Sequence, residues 1–182
     1  MIQKPAEQRY ASLSIILHWV MAALIVGVYA CILLRESYPQ GSDIREGLKT
    51  WHFMLGLSVL ALVIVRIFAR LLGKAPKIAP EPPAWQSWLA NSTHLLLYSF
   101  MLAMPVAGWL ILSASGKTIP FFGFELPPLV AQSKMYAGQV KDLHETVGTV
   151  GYFLIGLHSL AALFHHYIAK DNVLRRMMPG RP

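Results

Sequence analysis

The sequence predicts an all-α membrane protein, a four-helix transmembrane bundle with both termini cytoplasmic. Three observations carry that expectation. The chain has 182 residues, of which 55% are hydrophobic and 14% charged, which places it outside the soluble globular class. Its apolar residues fall into four blocks, roughly Leu13–Leu34, Trp51–Leu72, Trp88–Ala114 and Val140–Ile168, each long enough for the ~20 residues that cross a bilayer. Its lysines and arginines are unevenly shared among the segments that join those blocks. Short alternating strands separated by turns are missing from the pattern, so a β-barrel is not expected. Nearly every residue belongs to a span or a short connection, and residues 1–182 read as one domain.

The first block follows Lys4 and Arg9, and Val28-Tyr29-Ala30-Cys31 is a faint cleavage-like site. Its apolar stretch exceeds the 7–15 residues of a signal-peptide core and carries His18, so it reads as a retained span. Cys31 is the one cysteine, which excludes an intramolecular disulfide, a Cys-x-x-Cys metal site and covalent haem attachment through C-x-x-C-H.

The first connection is balanced, with Arg35, Arg45 and Lys49 opposed by Glu36, Asp43 and Glu46. The second, within GKAPKIAPEPPAWQ, is a Pro-rich turn; with Arg66, Arg70, Lys74 and Lys77 against Glu81 it is basic. The third span contains Pro105 and Gly108, where a kink is expected. The third connection, Ser115 to about Gln139, is aromatic and Pro-rich and is expected to form a partly ordered cap; Lys117, Lys134 and Lys141 are offset there by Glu125, Asp142 and Glu145. The C-terminal tail is basic, with Lys170, Arg175, Arg176 and Arg181 against Asp171. Lysine and arginine excess marks the cytoplasmic side, so both tails and the second connection face inward. The net charge of +7 is thereby explained by topology, and nucleic-acid binding is not expected.

Seven histidines stand in or beside these spans, where unpartnered imidazoles are costly and ionisable residues mark function. On the outer side only His52 and His144 occur, so each is the other's sole imidazole partner. The inner side offers His18, His94, His158, His165 and His166. A flat macrocycle beside its ligand needs a small residue one turn on. His18 has Ala22, His52 has Gly56, His144 has Gly148 and His158 has Ala162, whereas His94 has Tyr98 and His166 has Lys170. His165 has Ala169 but lies at the aqueous end, beside Lys170 and Asp171. The inner pair is therefore His18 with His158. His144 and His158 are fourteen residues apart, on nearly one helix face and about 21 Å apart along the axis, so the two pairs serve separate sites. A structural zinc asks for four protein ligands, whereas haem asks for two. Bis-histidine ligation leaves no open iron position and suits electron transfer, and two haems stacked across the bilayer make a wire. Arg66 and Arg70, ending the second span, are candidates for haem-propionate pairing or for snorkelling to the interface.

The segments SIILHW, WHFMLGLSVL, STHLLLY, LHETVGTVGYFLIGLHSLAALFHHY and KDNVLRRMMP together resemble the bacterial cytochrome b561 family of small di-haem membrane proteins, over essentially the whole chain. The resemblance implies four helices, two non-covalent b haems with axial ligands at His18, His52, His144 and His158, a place in the bacterial inner membrane, and quinone chemistry. Some members are assigned superoxide oxidation with electrons passed to ubiquinone. Two functions compete on that basis. One is a self-contained oxidoreductase that oxidises superoxide outside and reduces ubiquinone, with Lys117, Lys134 and Lys141 steering the anion. The other is a haem-bearing anchor subunit of a dehydrogenase or hydrogenase-like complex. A histidine-lined proton or metal transporter is the non-redox alternative.

Overall fold

The computed structural model describes residues 9–73 and 75–180; Lys4, Lys74 and Arg181 of the charge argument lie outside the described residues. Four long helices dominate: α1 Ser12–Leu34, α2 Asp43–Leu72, α3 Ala84–Ala114 and α4 Lys134–Phe164. Between α3 and α4 sit two short strands, β1 Ile119–Phe121 and β2 Phe124–Leu126. All four helices are long and apolar enough to cross a membrane. Only 6–17% of each helix's most apolar stretch is buried, so the apolar side chains point outward rather than into a core. Leu71, Leu95, Phe153 and Leu160 are among the exposed ones, the surface that a lipid environment requires.

Three helices begin earlier than their apolar blocks, for a local reason in each case. The Ser42 side chain caps α2 by accepting from the Arg45 N–H at 3.4 Å, and Asp43 and Glu46 favour the positive end of the helix dipole. Ser133 caps α4 in the same way, accepting from the Tyr136 N–H at 3.3 Å. α3 starts directly after Pro83 and continues through Pro105 as one helix. The polar overhang of α2 is invisible to hydropathy, but it carries Lys49 to the position described below.

The connections define two ends of the bundle. At the end holding both chain termini, Arg176 is buried; its guanidinium donates to the Pro76 carbonyl at 2.6 Å and lies over the Tyr10 ring. Trp19 donates to the Met177 carbonyl at 2.7 Å, and Asp171, also buried, bonds His165 and the Val173 N–H. This terminal end thus ties α1, the α2–α3 connection and the tail together. At the opposite, hairpin end, β1 pairs antiparallel with β2 in the register Ile119↔Leu126 and Phe121↔Phe124. Phe122 (φ 46°) and Gly123 (φ 88°) turn it, both in the left-handed region that a tight two-residue hairpin needs. The Phe122 ring meets Trp51 at 6.3 Å and its N–H meets Met54 Sδ at 3.4 Å, which holds a non-glycine residue in that conformation. Ile119 packs with Leu57 and Leu112, so the expected cap is an ordered hairpin seated on α2 and α3.

Helix packing runs α1 on α2, α2 on α3 and α3 on α4, while α4 stands off from α1 and α2. Among the described residues, one bridge crosses that gap. The Tyr29 hydroxyl donates to the Gly148 carbonyl at 2.7 Å, and the Tyr29 and Tyr152 rings lie 4.3 Å apart. Gly151 makes the approach possible, because a Cβ there would lie 2.4 Å from the Tyr29 oxygen and 2.5 Å from Phe100 Cζ.

Candidate functional site: two histidine pairs across the α4 gap

The gap holds imidazoles at two levels. Toward the hairpin end, His52 of α2 faces His144 of α4, ring centres 6.3 Å apart and planes at 73°. Toward the terminal end, His18 of α1 faces His158 of α4 at 6.2 Å and 74°. A metal–imidazole bond is about 2.0 Å and the ring centre lies roughly 1.1 Å behind its nitrogen, so imidazoles on opposite sides of one metal have centres roughly 6.2 Å apart. Both separations meet that requirement. Among the described residues, no group of three or more His, Cys, Asp or Glu side chains forms a cage for a lone metal ion.

The hairpin-end pair lies in a cavity of about 560 Å³, within the ~300–1,000 Å³ range of cofactor pockets. His52 Nδ1 lies 3.0 Å from the Val28 carbonyl. A carbonyl only accepts, so Nδ1 carries the proton and Nε2 presents its lone pair, the arrangement a metal ligand requires. His144 Nδ1 is buried without a well-formed hydrogen bond, an orphaned polar atom in the cavity wall. Gly108 of α3 backs the His144 ring, where a Cβ would sit 3.7 Å from Cε1, and open space lies over Gly56. Residue types and shape therefore fit a flat, imidazole-ligated macrocycle such as haem. Arg35, Lys49, Lys117 and Lys141 line the same cavity. Lys117 and Lys141, expected as steering residues, thus belong to its wall, while Lys134 borders an adjoining depression together with Lys141. Arg35 and Lys49 went unnoticed in the sequence because the balanced charge of their connection draws no attention.

The terminal-end pair has a third imidazole beside it. His94 of α3 lies 5.5 Å from His158, and its Nδ1 is buried and unpartnered. The i+4 neighbour of His94 is the bulky Tyr98, but a small residue at i+4 concerns one helix face only and does not bear on which rings stand opposite. Arg66 Nη1 donates to the Ser14 carbonyl at 2.7 Å, and Nη2 lies 3.4 Å from His18 Nδ1. Arg70 stands over the Tyr98 ring at 5.7 Å. His165 is bonded to Asp171 and His166 meets the Tyr167 ring edge-on, both away from the two pairs. The Tyr29–Tyr152 bridge crosses the gap between the two levels.

The sequence model of the family described as prokaryotic cytochrome b561 matches residues 9–180. "Cytochrome b561 homolog 1" of Escherichia coli strain K12 is 39% identical over 173 residues, covering 95% of this chain and 98% of that one. "Probable superoxide oxidase CybB" of Yersinia pestis is 35% identical over 175 residues, covering 96% and 98%. "Cytochrome b561 homolog 2" of Escherichia coli strain K12 is 28% identical over 172 residues, covering 94% and 92%. Together with the four spans and the imidazole-lined cavity, these matches establish that the chain belongs to the prokaryotic cytochrome b561 family of multi-pass bacterial membrane proteins that transfer electrons with haem b.

Proposed function

We propose that this chain binds two non-covalent b haems, one between His52 and His144 and one between His18 and His158, and carries electrons from superoxide to ubiquinone in the inner membrane. The observation that carries the reading is the pair of ring separations, 6.3 and 6.2 Å, at two levels of one gap. Held between two such imidazoles, a haem would exchange single electrons and would leave no site for an oxygen ligand. The chain's own residues supply the rest. The Val28 carbonyl fixes the tautomer and orientation of His52. Arg35, Lys49, Lys117 and Lys141 outnumber Glu145 on the cavity wall, an excess of cations that supports attraction of a small anion. Arg70, over Tyr98, is the cation we assign to a propionate at the terminal end.

The lysine and arginine excess of the basic connections supports a terminal end toward the cytoplasm and a hairpin end toward the outer face. The balanced reaction is two superoxide anions plus one quinone plus two protons giving two dioxygen molecules and one quinol. The name carried by the Yersinia pestis relative supports superoxide as donor.

A reduced-minus-oxidised spectrum of the purified protein with a haem:protein ratio tests the reading. Two b haems per chain are expected, with one lost in His52→Ala or His144→Ala and the other in His158→Ala. Retention of two six-coordinate haems in all three variants refutes the ligand assignment.

A further inference from the structure

The β1–β2 hairpin folds back onto the bundle instead of rising from it, and its contacts fall inside the apolar blocks. The Phe122 ring meets Trp51, the first residue of the second block, and the Phe122 N–H meets Met54. Ile119 packs with Leu57 and Leu112, and Phe121 and Leu126 join that cluster. Leu57 lies about 9 Å further along α2 than Trp51. Trp109, about 7.5 Å short of the end of α3 at Ala114, donates its indole N–H to the Pro127 carbonyl at 3.0 Å. The chain therefore leaves α3 and returns to a depth at which both helices are already apolar.

The hairpin also has two unlike faces. Its register puts Ile119, Phe121, Phe124 and Leu126 on one face and Pro120 and Glu125 on the other. Ile119 is buried against the bundle, Phe121 and Leu126 are half-buried there, and Glu125 is exposed. Phe124 on the apolar face and Phe122 at the turn are 74% and 51% exposed, beside a Trp51 that is 50% exposed. None of these three rings lines the hairpin-end cavity, so they face outward, where they continue the exposed apolar surface of the spans. Aromatic rings are favoured where such a surface meets the lipid headgroups. Segments with one apolar and one charged face lie in that plane, and the open strand edges find water there that the hydrocarbon interior would deny them.

We propose that the hairpin is an interfacial membrane anchor. Phe122, Phe124 and Trp51 sit among the headgroups and upper acyl chains of the leaflet at the hairpin end, and Glu125 is turned to water. The occupant of this patch is lipid, because the patch is continuous with the surface that the spans present to the bilayer. The same segment brings Lys117 and Ile119 to the cavity wall, so the anchor and the cavity share one piece of chain.

The test uses the full-length, haem-loaded protein in vesicles of phosphatidylethanolamine and phosphatidylglycerol. Cys31→Ser is the background, so that a single introduced cysteine takes a nitroxide. Phe124→Cys and Glu125→Cys are labelled in turn, and a parental reduced-minus-oxidised spectrum reports that each variant is folded. Dissolved oxygen concentrates in lipid and a neutral nickel chelate stays in water, so the two relaxing agents read the surroundings of each label. At position 124 oxygen is expected to relax the label faster than the chelate does, and at position 125 the order is expected to reverse. Should Phe124→Cys lose the haem spectrum, Phe122→Cys takes its place with the same expectation. Faster relaxation by the chelate at both positions places the hairpin in water and overturns the proposal. A label at 124 that neither agent reaches, or one whose dipolar broadening disappears on dilution with unlabelled protein, puts a second copy on the patch and overturns it equally.

Discussion

Replacing Gly151 with alanine tests how the fold sets the site. Gly151 lies seven residues from His144 and seven from His158, beside the Tyr29–Gly148 bridge between α1 and α4. An alanine Cβ there would stand 2.4 Å from the Tyr29 hydroxyl oxygen and 2.5 Å from Phe100 Cζ, about 1 Å inside ordinary contact on two sides. Neither neighbour is a flexible chain end, so α4 must move outward or Tyr29 must leave its rotamer. Overpacking of this kind costs about 1–3 kcal/mol. Loss of the Tyr29–Gly148 hydrogen bond, 2.7 Å in the parent, adds about 1 kcal/mol. The sum, about 2–4 kcal/mol, corresponds to a fall in Tm of roughly 4–16 °C for a chain of this size. Thermal melting in detergent measures it, and the haem:protein ratio of the same preparation reports whether the gap has changed width. Because the substitution acts between the two levels, both haem components are expected to weaken together. Tyr29→Phe removes the nearest clashing atom, so the double variant should be more stable than the two single effects predict. A Gly151→Ala protein that melts within 2 °C of the parent with a full haem complement refutes the claim that this contact holds α4 in place.

Other expectations follow from the hairpin-end cavity. Gly56→Leu fills the open space over that glycine and is expected to abolish one b haem while leaving the other, read from the pyridine haemochrome of purified protein. If superoxide is the donor, haem reduction by it should slow about two- to fivefold as ionic strength rises tenfold, as measured by stopped flow. Charge reversal at Lys141, which lines the cavity, should slow it more than charge reversal at Lys134, which borders only the adjoining depression. Equal effects of the two reversals, or a salt-independent rate, exclude steering by this wall. Trp19→Phe removes a 2.7 Å hydrogen bond to Met177 and should lower Tm by a few degrees, with both haem spectra unchanged.

The apolar blocks were legible because membrane solvation leaves its mark in uninterrupted composition, and α1, whose ends are apolar, nearly coincides with its block. α2 and α4 overrun theirs because capping by Ser42 and Ser133 acts through single side chains, which a hydropathy window averages away, and α3 overruns its block by starting directly after Pro83. The hairpin escaped because its turn is Phe122-Gly123 rather than Asn-Gly, and because three-residue strands are too short to show alternation. The depth of each histidine followed from charge bias and span order. Which rings face one another across a gap, at what separation, is a property of tertiary packing. Arg66 shows the same limit: its position at the end of α2 is read from sequence, but its contact with Ser14 and His18 belongs to a neighbouring helix.

Helix α4 is the common element of both sites, and its spacing explains why one chain can serve two. Fourteen residues span nearly four full turns, so the His144 and His158 rings leave α4 within about 40° of the same direction. Their partners come from different helices, His52 from α2 and His18 from α1, and those two pack against each other. The rigid wall made by α1 and α2 therefore faces one rigid rod, and the Tyr29–Gly148 bridge fixes the distance between them. The two ring separations differ by only 0.1 Å because a single gap width sets both. A one-residue insertion between Gly151 and His158 would rotate one imidazole about 100° away from the wall and leave the other untouched. A bundle so built holds its two sites at equal width, and the chemical difference between them is left to the groups behind each imidazole, a carbonyl at His52 and a guanidinium at His18.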